Sequence, residues 1–200
     1  MKKHFLSTKQ ISIIAIMSAL AGVLMVFDFP LTFIAPSFYR LDFSDLPCVI
    51  GTFSLGPLYG VLIEIIKILI KLLIKPTSTA FVGELSNLLC GISYVYVAGI
   101  VYNKHHNKKG ALISLIVGTL VCVFLSVFIN YFITIPFYVN FYRISLDEII
   151  NLGKLIFPFI YNKLSFVCVC VLLFNTIKMT IVSIITYLIY KKISNLIKSV

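Results

Sequence analysis

Residues 111–135 read ALISLIVGTLVCVFLSVFINYFITI, a run of 25 residues without one charged side chain. About 20 apolar residues in an α-helix are enough to cross the hydrocarbon core of a bilayer. The run therefore predicts a tilted membrane-spanning helix, which Pro136 is expected to end. The whole chain agrees, with 60% hydrophobic residues, 12% charged residues and a mean hydropathy of +1.06. We expect an all-α integral membrane protein with no room for a separate catalytic domain.

On both sides of this run, the apolar pattern continues and divides the whole chain into six helical segments. We predict one transmembrane domain over residues 1–200, with helices at 11–28, 46–54, 57–75, 82–102, 111–135 and 164–190. The outer loops are predicted at 29–45, 76–81 and 137–163. Segment 46–54 is too short to span upright, so we expect it to pack against protein. The loop 137–163 is expected to be partly helical and to lie at the membrane interface.

The basic residues predict the orientation of this bundle. One side holds nine lysines and no acid: Lys2, Lys3, Lys9, Lys104, Lys108, Lys109, Lys191, Lys192 and Lys198. The other side holds five cations and five acids: Arg40, Lys75, Arg143, Lys154, Lys163, Asp28, Asp42, Asp45, Asp147 and Glu148. The positive-inside rule therefore places both termini in the cytoplasm of a plasma-membrane protein. This bias accounts for the net charge of +10, so no nucleic-acid partner is expected.

Four polar residues follow one face of the third segment. Glu64, Lys67, Lys71 and Lys75 form a single stripe at 100° per residue, and a charge inside a span costs roughly 2.5 to 3.5 kcal/mol. Two interpretations remain open. Glu64 and Lys67 form an ion pair while Lys71 and Lys75 extend to the headgroups, or the stripe lines a polar binding cavity.

Amide side chains in other segments bear on the same question. Asn175 and Lys178 are three residues apart and share a helix face, while Asn130 and Asn87 lie in two further segments. A single buried Asn often joins helices by hydrogen bonds. The convergence of these residues with Glu64 and Lys67 favours a cavity for a planar, uncharged solute with many hydrogen-bonding atoms. Ala15 and Ala19 form a small-residue surface for close helix contact, within this chain or with a partner.

Motifs for catalysis are absent from the sequence. It contains no GxxxxGK phosphate loop, no HExxH and no GxSxG, and its histidines are confined to His4, His105 and His106. The five cysteines lie in apolar stretches without metal-type spacing. We expect a non-enzyme without a metal site or cofactor.

Several stretches carry a family resemblance. They are Ala15-Ile-Met-Ser-Ala19, Leu41-Asp-Phe-Ser-Asp-Leu-Pro47, Leu55-Gly-Pro57 with Gly60, Glu64 and Lys67, Asn130-Tyr-Phe with Pro136, and Phe174-Asn-Thr-Ile-Lys178. Over nearly its whole length the chain resembles the substrate-binding S components of energy-coupling factor (ECF) vitamin transporters, most closely the riboflavin-specific type.

The resemblance implies a six-helix S component whose cavity opens outward under the loop 29–45. It also implies a partner T component, docked at Ala15 and Ala19, and two cytoplasmic ATPases that supply the energy. Asn130, Asn175 and Lys178 would contact riboflavin, with Tyr39, Glu64 and Asn87 as further contacts. An S component for folate, pantothenate or a thiamine-related vitamin is the alternative, although the absence of Trp disfavours the thiamine type. A channel or a structural membrane subunit is a third possibility.

Overall fold

The computed structural model describes residues 7–198, with side chains described throughout except at 191 and 193–198. Lys2, Lys3 and the side chains of Lys191 and Lys198 entered the orientation argument and lie outside this described part. Most of the described chain is helical, and its β-structure is a short antiparallel ladder.

The first helix, α1 (Thr8–Val26), begins before the apolar run that predicts it. A capping box explains the earlier start. The Ser7 hydroxyl accepts a hydrogen bond from the Gln10 amide at 3.2 Å, and the Gln10 side chain accepts one from the Ser7 amide at 3.0 Å. These bonds satisfy amide groups at the helix start, so polar residues can occupy its first turn.

The segment after α1 folds back on itself and is called the flap here (residues 29–44). Its strands β1 (Phe29–Pro30) and β2 (Arg40–Leu41) pair antiparallel, with Phe29 opposite Leu41. Ile34, Ala35 and Leu41 are buried in a cluster of apolar side chains. The predicted loop is therefore an ordered element with its own hydrophobic anchors.

A sharp break separates α2 (Asp45–Leu55) from α3 (Pro57–Ile74). Gly56 lies between them with φ of +108°, a conformation that a residue with a Cβ rarely adopts. Pro57 then occupies the first turn of α3, where its missing N–H would have no helical partner. Most residues of the short helix α2 are buried.

The helix that Pro136 was expected to end continues past it. After α4 (Val82–Tyr102), helix α5 (Lys108–Ile129) runs through a π-helical turn at Asn130–Thr134 into α6 (Ile135–Tyr142). The prediction of an end at Pro136 is therefore wrong. The Ile135 amide donates to the Asn130 carbonyl, five residues back, and this widened turn places Pro136 at the start of a new α-helical segment, where a proline is tolerated.

The region 137–163 contains helix as well as loop. Helix α6 extends into it, and α7 (Leu146–Lys154) follows behind a capping box between Ser145 and Glu148. The last helical segment begins as α8 (Lys163–Phe166), passes a second π-helical turn at Val167–Val171 and continues as α9 (Leu172–Lys198).

Four helices of the described chain are long and apolar enough to cross a membrane. They are Thr8–Val26, Val82–Tyr102, Lys108–Tyr142 and Lys163–Tyr190. Helix α2 is short, and α3 carries Glu64, Lys67 and Lys71 within its 18 residues. The all-α membrane class is therefore confirmed, whereas the count of six transmembrane helices is not: by length and composition, four helices of the described chain qualify as spans.

Small residues allow the helices to approach closely. A Cβ on Gly22 of α1 would lie 2.5 Å from the Ile70 side chain of α3, and one on Gly118 of α5 would lie 3.1 Å from the Ala98 Cβ of α4. Ala15 and Ala19, by contrast, are exposed on α1. Their face is thus available for a contact outside this chain.

Candidate ligand-binding cavity

A cavity of about 320 Å³ lies between the flap, the facing ends of α3 and α4, the first π-helical turn and α9. This volume is at the lower end of the range for small-molecule sites, about 300 to 1,000 Å³. Five of the residues predicted from the sequence line it: Tyr39, Asn87, Asn130, Asn175 and Lys178. The other two, Glu64 and Lys67, are fully buried and lie outside the lining.

Aromatic rings form the apolar walls of the cavity. The Phe38 ring lies 5.5 Å from the Tyr138 ring, and the Tyr39 ring lies 5.6 Å from the Phe174 ring, measured between centroids. These tilted arrangements are favourable for aromatic pairs. Such aromatic faces can pack against a ring of a ligand.

The amide groups are held by their own helices. Asn130 and Asn175 each donate a hydrogen bond from Nδ2 to a carbonyl four residues earlier, at 2.8 and 3.0 Å. Asn130 Oδ1 also accepts a hydrogen bond from the Tyr39 hydroxyl at 2.9 Å. Burial raises the pKa of Tyr39 well above its usual value, so the phenol remains a neutral donor. The bond connects the flap to the π-helical turn.

One amide oxygen in the lining has no partner among the described residues. Asn87 Nδ2 lies 3.4 Å from Asp42 Oδ2, but the buried Oδ1 atom of Asn87 accepts no hydrogen bond there. A buried polar atom without a partner is costly. Asn87 Oδ1 is therefore an acceptor available to a ligand that carries an N–H or O–H group.

Acidic residues hold the cavity lysine in place. Lys178 Nζ lies 3.0 Å from both Asp42 Oδ2 and Asp45 Oδ2. Asp45 Oδ1 lies 2.9 Å from Lys67 Nζ, which also pairs with Glu64. We call these five buried side chains, Asp42, Asp45, Glu64, Lys67 and Lys178, the ion-pair cluster.

The Glu64–Lys67 pair that one interpretation expected is thus present, as part of this larger cluster. The same interpretation extended Lys71 and Lys75 to the headgroups; the structure corrects this for Lys71, whereas for Lys75, whose side chain is 41% exposed, it stays a prediction. Lys71 is 6% exposed and pairs with Glu84, whose second oxygen accepts hydrogen bonds from Thr77 at 2.9 Å and Thr79 at 3.0 Å. Lys71 thus lines the cavity, where a carboxylate from α4 neutralises its charge.

A second ion-pair group lies at the rim. Asp28 accepts from Arg40 at 2.8 Å and from Lys75 at 2.8 Å. Burial by itself would raise the pKa of Asp28, but the hydrogen bonds from Lys75 and Arg40 outweigh that effect and hold the pKa below its usual value. These ion pairs thus connect Asp28, just before the flap, with Arg40 near the end of the flap and with Lys75 at the end of α3.

Known proteins of similar sequence identify the family of this chain. A family model described as the substrate-specific component of ECF transporters matches residues 9–190. The chain belongs to this family of ECF S components. One relative is the riboflavin transporter RibU of Staphylococcus aureus (strain TCH60). This chain is 30% identical to it over 200 residues, which cover all of this chain and 97% of the relative.

Two further matches support the assignment. The S component is 28% identical over 137 residues to the riboflavin transporter FmnP of Bacillus subtilis (strain 168), covering 68% of this chain and 72% of the relative. A solved structure of the S component of a bacterial ECF transporter superposes with a TM-score of 0.73 at 29% identity, covering 95% of this chain and 98% of that one. The family and the fold therefore agree, and the relatives are named as transporters rather than enzymes.

Sequence reasoning missed several residues of the S component's cavity. Asp42, Glu84, Thr79 and Thr134 all line it. The sequence predicts Asp42 and Asp45 as outer-loop acids and as part of the Leu41–Pro47 stretch rather than as site residues, although their position before the lysine-bearing helix was an available signal. Within the described residues, no group of three or more His, Cys, Asp or Glu side chains is placed to hold a metal ion.

Proposed function

We propose that this S component captures riboflavin in the cavity at the outer face of the plasma membrane and takes part in its uptake. The observation that carries the proposal is that a relative named as a riboflavin transporter aligns along all 200 residues of the chain. The alignment includes every element that builds the cavity. The proposal therefore concerns the whole chain rather than one motif.

The chemistry of the cavity supports this ligand. Riboflavin has a flat ring system with several acceptor atoms and imide N–H, and a chain of hydroxyl groups. The aromatic walls can bury the ring, while Asn87, Asn130 and Asn175 supply amide groups for its heteroatoms. Thr79, Thr134 and the ion-paired side chains offer partners for the hydroxyl groups. Unpaired buried groups would then penalise analogues that lack the matching atoms.

The proposed arrangement in the membrane follows the positive-inside bias. Both termini lie in the cytoplasm, and α2 and α3 complete a six-helix bundle with the four long apolar spans. A bound riboflavin lies in the cavity beneath the flap. Release to the inside requires a transmembrane T component and two cytoplasmic ATPases, with Ala15 and Ala19 on the face that meets the T component.

Flavin binding to the purified full-length chain in detergent tests the proposal. Titration should quench flavin fluorescence to a one-to-one endpoint. Asn175→Leu and Lys178→Met should weaken binding, whereas Asn151→Leu, at an exposed position in α7, should leave it unchanged. Absence of binding by protein that elutes as a single folded species would contradict the riboflavin assignment.

Transport is a separate test of the partner proposal. Cells that cannot make riboflavin should take it up only when this chain is produced together with a T component and both ATPases. Replacing the phosphate-loop lysine of those ATPases should abolish uptake without affecting flavin binding to the isolated S component. Uptake by cells that produce this chain without the partners would contradict the proposal that it needs them.

A further inference from the structure

The Lys178 ammonium is held from two sides, and only one side is part of the cavity lining. Asp42 and Lys178 line the cavity, whereas Asp45 lies behind them and is fully buried. Asp45 has both carboxylate oxygens in ion pairs: Oδ2 lies 3.0 Å from Lys178 Nζ without hydrogen-bond geometry, and Oδ1 accepts a hydrogen bond from Lys67 Nζ at 2.9 Å. Asp45 is therefore the link between the cavity lysine of α9 and the buried lysine of α3.

A lysine side chain needs such support to act as a directed donor. Its four-carbon stem rotates freely, and its ammonium is a point charge with three N–H groups. Lys178 is 4% exposed, and two carboxylates from the flap and α2 lie within 3.0 Å of its nitrogen. The position of the ammonium is thereby set before a ligand arrives, which reduces the ordering cost of binding.

The charge balance makes Asp45 suited to an experimental test. The ion-pair cluster contains three carboxylates, Asp42, Asp45 and Glu64, and two ammonium groups, Lys67 and Lys178. If Asp45 becomes Asn, Lys178 keeps Asp42 and Lys67 keeps Glu64. No lysine is left without a carboxylate, so the variant avoids the penalty of an uncompensated buried cation.

We propose that Asp45 is a positioning residue for ligand binding: it contacts no ligand but holds the Lys178 ammonium at the cavity, and Lys67, itself paired with Glu64, holds Asp45 in turn. For its ligand, the inference rests on the proposed riboflavin function. The role is distinct from a direct contact because Asp45 lies outside the cavity lining.

The first measurement is a flavin-binding cycle with the purified full-length chain. Asp45→Asn should raise the riboflavin Kd about tenfold or more, as expected for loss of a charged polar contact. In a Lys178→Gln background, Asp45→Asn should have no further effect, because no ammonium remains to be positioned. Asp147→Asn, the same chemical change at an exposed site in α7, is the matched control. Equal effects of Asp45→Asn in both backgrounds would overturn the proposal.

The second measurement needs no ligand. Reductive methylation followed by mass spectrometry reports how accessible each lysine amine is and how readily it loses its proton to react. Asp45→Asn should raise the labelling of Lys178 several-fold, while the exposed Lys154 stays unchanged as an internal control. Unchanged Lys178 labelling, in protein that retains its size-exclusion profile, would overturn the positioning role. If labelling rises but wild-type protein binds no flavin, the positioning role stands and the riboflavin assignment fails.

Discussion

The Tyr39 hydroxyl donates a hydrogen bond of 2.9 Å to Asn130 Oδ1, across 91 positions of sequence. It joins the flap to the π-helical turn that interrupts the long helix Lys108–Tyr142. The flap and the irregular helical turn are thereby held together beside the cavity. This contact leads to the first prediction.

Tyr39→Phe should weaken retention of the ligand. The change removes the donor and leaves the aromatic ring in the wall, so riboflavin should dissociate about threefold to tenfold faster from the purified protein. Stopped-flow recovery of flavin fluorescence measures the rate. Tyr161→Phe, at a position 71% exposed, is the control. An unchanged dissociation rate would show that the flap closes without this bond.

The Lys71–Glu84 pair should be visible as a strong coupling in stability. Both side chains are about 7% exposed, so Lys71→Met or Glu84→Gln alone leaves a buried charge unpaired. Each single variant should lose about 3 to 5 kcal/mol, seen as a lower melting temperature of the ligand-free protein in detergent. The double variant should recover much of this loss. Additive losses would indicate that the two residues act independently.

The rim should respond to acid in one direction. The pKa of Asp28 lies below its ordinary value of 3.8, so the contribution of its ion pairs to stability is complete above that value and is lost as the pH falls through the lower folded-state pKa. With Arg40 and Lys75 about 40% exposed, the contribution should be no more than about 1 kcal/mol.

Comparing wild type with Asp28→Asn isolates this effect. The stability difference, from thermal unfolding between pH 3 and 8, should be constant above about pH 5 and should shrink below pH 4. A difference that grows as the pH falls would mean that Asp28 is destabilised by its neighbours rather than stabilised.

The segment after α7 should lie against the membrane surface. Leu155 is 83% exposed, yet the chain has no Trp, so Leu155→Trp creates a unique fluorescent probe. In lipid vesicles, bromine near the headgroups should quench it more than bromine at the acyl-chain ends. Leu69→Trp, at a 56% exposed position within α3, should show the opposite order. Absence of quenching of Leu155→Trp by either lipid would place this segment in water.

Features that depend on neighbouring residues can be predicted from the amino-acid sequence alone. Uncharged apolar runs predict membrane helices because, within the bilayer, backbone groups can form hydrogen bonds only with other backbone groups of the protein. The Gly56-Pro57 pair predicts a break because proline restricts the backbone and lacks an N–H donor. The same runs located Asn130, Asn175 and Lys178, which line the cavity, since polar groups inside such helices stand out against their surroundings.

The partners that neutralise the buried charges depend on how the helices and the flap pack in three dimensions. The lysines of the α3 stripe meet acids from different elements: Lys67 meets Asp45 of α2, Lys71 meets Glu84 of α4, and Lys75 meets Asp28 beside the flap. Lys178 meets Asp42 across 136 positions. Local periodicity cannot predict these partners, because Coulomb attraction and desolvation depend on distances in space. For the same reason the sequence placed Glu64 and Lys67 in the site, whereas packing puts them behind it.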